Sequence, residues 1–243
     1  PYAAQVLESA QPLDVNWSDT ALVLKGEGFN GSVNFLDSSA TPKAVNAVGN
    51  TKLSSAQSKF GESSFYFDGN SSYLSTSAHS DFAFGLGDFT VETWINVAAD
   101  APIDSQGTRE MALFTNPDVF NAFQLILAGN AEKTGTGLVF WDGITRKYIY
   151  APINIEKNKW YHIAVTREAG KIKIYLDGNL VGSGVNESNF TVNNAYNIGF
   201  QNQSGLQRFF NGYMDDIRIT KGLARYITNF TPVEIPSIPK KTG

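Results

Sequence analysis

The stretch KIKIYLDGNLVGSG, Lys171–Gly184, decides the fold. Two strand-like runs flank Asp177-Gly178, a pair that accepts positive φ in a tight hairpin turn. Upstream, DFTVETWINV (Asp88–Val97) alternates: Phe89, Val91, Thr93 and Ile95 share one face, and Thr90, Glu92, Trp94 and Asn96 the other. FQLILA (Phe123–Ala128), GLVFW (Gly137–Trp141), KYIYAPI (Lys147–Ile153) and KWYHIAVTR (Lys159–Arg167) follow the same period. Short strands spaced by Gly, Asn and Ser turns predict an all-β sandwich or barrel. The one helical candidate is a turn around GLARY, Gly222–Tyr226. The expected organisation is an N-terminal arm or linker over 1–17, a single domain over 18–232, and an extended, proline-bearing tail over 233–243.

The chain has 243 residues and a formal net charge of −4. This length suits one large domain whose core needs no covalent help. Cysteine is absent, which excludes disulfides, thiolate metal sites and cysteine nucleophiles together. No apolar run is long enough for a membrane span, and the scattered lysines in an acidic chain argue against a nucleic-acid partner. Position 1 is proline, so a processed or excised piece is expected.

Asp215 and Asp216 stand side by side in NGYMDDIRITK, which otherwise reads as a buried strand. Strict alternation places Asp215 with Tyr213, Ile217 and Ile219, and Asp216 with Met214, Arg218 and Thr220. Two acids on opposite faces cannot grip one substrate atom. Asp215, among apolar neighbours, needs either backbone N–H donors or a cation. The turn FDGNSS offers Asp68 and Asn70 as hard oxygen ligands. These four residues are the candidate site for a structural calcium ion, the one cofactor expected. The alternative is a turn in which Asp68 and Asn70 bond local backbone.

Of the two histidines, His162 reads as a packed, hydrogen-bonded residue, and His79 lies in a polar loop. No serine elbow, zinc helix or phosphate loop occurs. Aromatics make up 13% of residues. Phe65, Phe67, Phe89, Trp94, Trp160 and Tyr175 read as core. Phe120, Asn121, Trp141, Asp142, Arg146 and Tyr148 fall in a segment that fits sugar binding. A ring there would stack on sugar C–H faces while polar groups read hydroxyls. A sheet face merely covered by rings is the other reading.

Several stretches together resemble the laminin G-like, concanavalin A-like jelly-roll superfamily. They are SKFGESSFYFDGNSSYLST (Ser58–Thr76), DFAFGLGDFTVETWI (Asp81–Ile95), NKWYHIAVTREAGKIKIYLDGNLVGSG (Asn158–Gly184) and FNGYMDDIRITKGLARYITNFTP (Phe210–Pro232). With ALVLKGEGFNGSVNFLDSS (Ala21–Ser39), the resemblance covers about residues 20–232. It implies a two-sheet antiparallel sandwich. KGEGFNGS and TKGLARYITNFTP resemble copies in phage virion and tail proteins and in marine bacterial surface proteins. The Glu-x-Asp-x-Glu run of laminarinase-type enzymes on this fold is missing. In the pentraxin branch a turn corresponding to Asp68–Asn70 binds calcium, and its second acidic cluster has no match here. The resemblance therefore implies a non-catalytic module, not an enzyme, that binds a glycan or cell-surface polysaccharide from a virion or extracellular surface. The alternative is a virion decoration protein contacting other virion proteins without sugar.

Overall fold

A computed structural model describes residues 14–235 apart from Ser105, Ala131 and Ser204. The candidate arm and tail residues 1–13 and 236–243 lie outside the described residues. In chain order the strands are β1 (Thr20–Leu24), β2 (Val45–Val48), β3 (Lys52–Ser54), β4 (Ser64–Asp68), β5 (Tyr73–Thr76) and β6 (Phe89–Val97). There follow β7 (Met111–Thr115), β8 (Phe123–Gly129), β9 (Thr134–Asp142), β10 (Lys147–Pro152), β11 (Trp160–Glu168) and β12 (Lys171–Leu176). The last are β13 (Asn179–Val185), β14 (Asn197–Ile198), β15 (Phe200–Gln203), β16 (Leu206–Phe209) and β17 (Asn211–Lys221).

Two antiparallel sheets stack face to face. One runs β13-β12-β11-β6-β17-β4-β3, with β1 also paired to β17, and the other β10-β9-β8-β7-β14-β5-β2. This is the jelly-roll sandwich that the family resemblance implies, within the sandwich or barrel that alternation and turn spacing predict. The β12–β13 hairpin turns at Asp177 (φ 48°) and Gly178 (φ 75°), the two positive values its short loop requires. Between the sheets lies an aromatic core: Phe89 stacks on Phe123 with centroids 5.0 Å apart, and Phe123 on Phe140 at 5.3 Å. The Arg167 guanidinium lies over Phe89 and Phe190 and donates to the carbonyls of Gly85, Gly87 and Ser188, so its burial is paired throughout.

All nine residues of β6 are buried, although its residues alternate in polarity. Phe89, Val91 and Ile95 enter the core. Trp94 and Glu92 face outward and are covered by chain from elsewhere. Phe60 meets Trp94 edge-on at 5.7 Å, and Tyr226 donates to Glu92 at 2.7 Å. Trp94 and Tyr175 are therefore buried outside the interior core, Tyr175 beneath Phe230 at 5.4 Å, while Trp160 is half-buried. Gly222–Tyr226 forms no helix. It begins a strap that crosses this sheet through Thr90 Oγ1 to the Leu223 carbonyl and Thr166 Oγ1 to the Tyr226 carbonyl. The packed body also reaches past the expected boundaries of 18 and 232. Asp14 pairs with Arg218 at 3.0 Å and Arg225 at 2.9 Å, and Ile235 is buried.

Candidate functional site

The outer face of the second sheet carries a groove of about 310 Å³. Period two builds its floor. Phe123, Leu125 and Leu127 of β8, and Leu138 and Phe140 of β9, point into the core, which leaves Ile126, Ala128, Val139 and Trp141 to line the outer face, with Gln124 on the same face but buried. Register then aligns Gln124 with Trp141 and Tyr148, and Ile126 with Val139 and Tyr150. Tyr148 and Tyr150 form one wall. Tyr150 lies flat across β9, donating to the Thr136 carbonyl at 3.0 Å, in space that a Cβ on Gly137 would fill.

The opposite wall is polar and comes from distant sequence. The β15–β16 hairpin contributes Gln201, Gln203 and Arg208, and Glu110 precedes β7. Glu110 forms an ion pair with Arg208, which donates to Gln201 Oε1 at 2.7 Å, and Gln201 donates to Gln124. Gln124 Nε2 and Trp141 Nε1 are buried and hydrogen-bond to no described residue, so both are shut off from the open groove.

Trp141 and Tyr148 are thus brought together in the groove. Phe120 and Arg146 lie outside its lining and pack on each other, the guanidinium 5.2 Å from the ring centroid. Asn121 is exposed and donates to Asp118 at 3.0 Å. Asp142 does not join them. One residue past Trp141, it points inward, buried, and accepts from Ile144 N at 3.0 Å, Asn186 Nδ2 at 2.9 Å, Thr145 Oγ1 and Ser188 Oγ. Its carboxylate ties a hairpin turn to the 186–188 loop and faces no ligand. Sequence reasoning missed Gln124, Gln201, Arg208 and Glu110. The one available signal was Gln124, a polar residue inside the apolar run FQLILA.

The four candidate metal ligands do not converge. Asp68 pairs with Asn211 across β4 and β17, four residues from Asp215, or about 13 Å of strand. Asp68 accepts from the backbone of Asn70, Ser71 and Ser72, from Ser71 Oγ and from Asn50. Burial pushes its carboxyl up, but these donors outweigh it and hold the group well below the usual range. Asn70 contributes its backbone N–H to that turn. Among the described residues no group of three or more acidic, His or Cys side chains is arranged to hold a metal.

A β-bulge resolves the aspartate pair. Register shifts between Asp215 and Arg218, with Asp216 as the extra residue at φ 46°. The shift reverses the expected faces beyond it: Ile217 and Ile219 enter the core with Met214, and Arg218 turns outward to Glu92. Asp215 accepts four backbone N–H groups, from Gly26 (3.1 Å), Lys59 (3.1 Å), Phe60 (3.2 Å) and Asp216 (2.9 Å). Those donors repel a cation, so the backbone-capped reading fits and the metal reading does not. Asp216 accepts from Ile235 N at 2.7 Å, and its other oxygen has no partner. Burial raises the Asp216 carboxyl to about 7, against the pull of Ile235 N–H and Lys25.

His162 lies 3.2 Å from Glu92, which also holds Arg218 and Tyr226 beneath the strap. Burial opposes the Glu92 charge, but Arg218 and His162 more than compensate, and its carboxyl lies far below the usual range. This cluster is sealed inside the fold.

Fold and groove define a jelly-roll sandwich with an aromatic-walled cleft open on one sheet. The chain belongs to the concanavalin A-like lectin/glucanase superfamily, whose laminin G-like family model matches residues 68–223. No curated protein matches it. Similar solved structures include the botulinum neurotoxin serotype D binding domain, with TM-score 0.60, 15% identity, and 85% of this chain against 49% of that one covered. The neurotoxin DC binding domain in complex with SialylT has TM-score 0.59 and 15% identity over 85% of this chain and 48% of that one. The type G receptor binding domain has TM-score 0.57 and 16% identity, covering 85% of this chain and 49% of that one. This chain spans about half the length of those domains, and at such identities the likeness is one of fold.

Proposed function

We propose that the protein is a non-catalytic carbohydrate-binding module whose ligand lies in the groove between Trp141, Tyr148 and Tyr150 on one side and Gln201, Gln203 and Arg208 on the other. The observation that carries this reading is the pairing of an aromatic wall with a polar wall in one groove. Rings supply apolar contact for sugar C–H faces, and amides orient hydroxyls. Glu110 is the sole carboxylate among the described lining residues, and Arg208 neutralises it. Glycoside hydrolysis needs two carboxyl groups about 5–10 Å apart across the scissile bond, so binding without cleavage suits this lining better. Display on a virion or extracellular surface remains part of the proposal on sequence resemblance alone. The test is a glycan array over bacterial and marine polysaccharides, followed by titration of Trp141→Ala and Tyr148→Ala. Retention of ligand unchanged by both substitutions sinks the reading.

One observation favours the alternative, a structural protein contacting neighbouring subunits. Phe29, Val33 and Leu36 are exposed along a single loop, 90%, 56% and 76% respectively. Clustered exposed apolar side chains mark contact surfaces. Under this alternative, substitution of these three by Ser abolishes assembly and leaves glycan binding as it was.

A further inference from the structure

The turn that follows Trp141 and precedes Tyr148 carries a cation outside the groove's lining. Arg146 lies in the β9–β10 turn, two residues and about 7 Å along the chain from Tyr148. Its guanidinium rests over Phe120, which is 45% exposed. Among the described residues no carboxylate lies within ion-pair distance of it. Of the other charges nearby, Arg208 is neutralised by Glu110 and Asp142 is buried and turned inward, while Asp118 accepts the neutral Asn121 amide and Lys147 stands opposite Asp142 in register. Arg146 also holds a left-handed backbone, φ 57°, where glycine is at ease and arginine is strained. Its charge is unmet within this turn, so a ligand has room to meet it.

We infer that the groove takes an acidic glycan and that Arg146 reads a carboxylate on the sugar at the Phe120 end. The inference rests on the glycan-binding reading above and names its ligand class. A planar guanidinium stacked on a ring keeps its donor fork fixed and facing solvent, the geometry that receives a carboxylate through two N–H bonds. Trp141 and Tyr148 hold the neighbouring sugar, and Arg146 discriminates by charge.

The test uses an array of matched neutral, uronate-bearing and sialic-acid-bearing oligosaccharides, then calorimetry of the tightest ligand on wild type, Arg146→Gly and Trp141→Ala. Glycine relieves the backbone, so Arg146→Gly is expected to melt no lower than wild type. It should weaken the acidic ligand about 10- to 100-fold, the scale of a charge-assisted hydrogen bond, and leave neutral analogues within about twofold. Added salt should weaken the wild type and not the variant. If Trp141→Ala abolishes binding while Arg146→Gly leaves it intact, or if neutral glycans bind equally well, only this inference is overturned. If neither substitution matters, or no glycan is retained, the groove reading falls and takes this one with it.

Discussion

Replacing Asp216 by Asn should stabilise the protein above neutral pH and destabilise it by about 1–3 kcal/mol near pH 4. Asp216 fills the β17 bulge in left-handed backbone, a conformation asparagine adopts readily. It is buried, with one oxygen bonded to Ile235 N and the other unpartnered. Burial carries its carboxyl from 3.8 to about 7, Asp215 and Glu234 pushing the same way. The folded state therefore binds the proton more tightly than the unfolded chain. Stability from this group is fully present below about pH 4 and is lost as pH rises through 7. A shift of one pKa unit is worth about 1.36 kcal/mol, so ionised Asp216 costs the native state about 4 kcal/mol at pH 8. Asparagine keeps an acceptor for Ile235 N and removes that charge. Its amide adds a buried donor costing about 1–3 kcal/mol, which leaves a net gain of about 1–3 kcal/mol. Urea unfolding of both proteins from pH 4 to pH 8 measures the difference directly. A variant less stable at pH 8, or a difference that does not change with pH, would show that Asp216 is ionised and held by Lys25, refuting the argument.

Trp141→Ala should destabilise by about 1–2 kcal/mol, less than the 3–5 of a core tryptophan because the side chain is half-buried, while weakening glycan binding by about 1–3 kcal/mol; a thermal melt and a titration check the two parts. Asp142→Ala strands Ile144 N and the Asn186 and Ser188 side chains, so a loss of about 2–4 kcal/mol in unfolding free energy is expected, with ligand affinity of the folded protein unchanged. Because Asp68 and Asp215 are saturated by donors, EDTA and added Ca²⁺ should both leave the thermal transition where it is; a rise with Ca²⁺ contradicts this.

The sequence by itself determined the sandwich, the Asp177-Gly178 hairpin and the inner face of β6, because each follows from local backbone preference and period-two alternation. That Trp141 stands beside Tyr148 follows from the β9–β10 register, which only the structure shows. Alternation could not place Asp142, since a carboxylate one position from a rim tryptophan faces a loop more than forty residues away in sequence. It also failed at Asp216. A bulge inserts one residue without a composition cue, and that single insertion exchanged the faces of Ile217 and Arg218. Only the tertiary structure decided that Trp94 and Glu92 are covered, because Phe60 lies against the first and the strap from beyond residue 221 over the second. The polar wall of the groove was equally illegible. Gln201 meets Gln124 across 77 positions, and Arg208 meets Glu110 across a comparable span. Such pairings depend on where two sheets and a hairpin come to rest, and no local propensity encodes that.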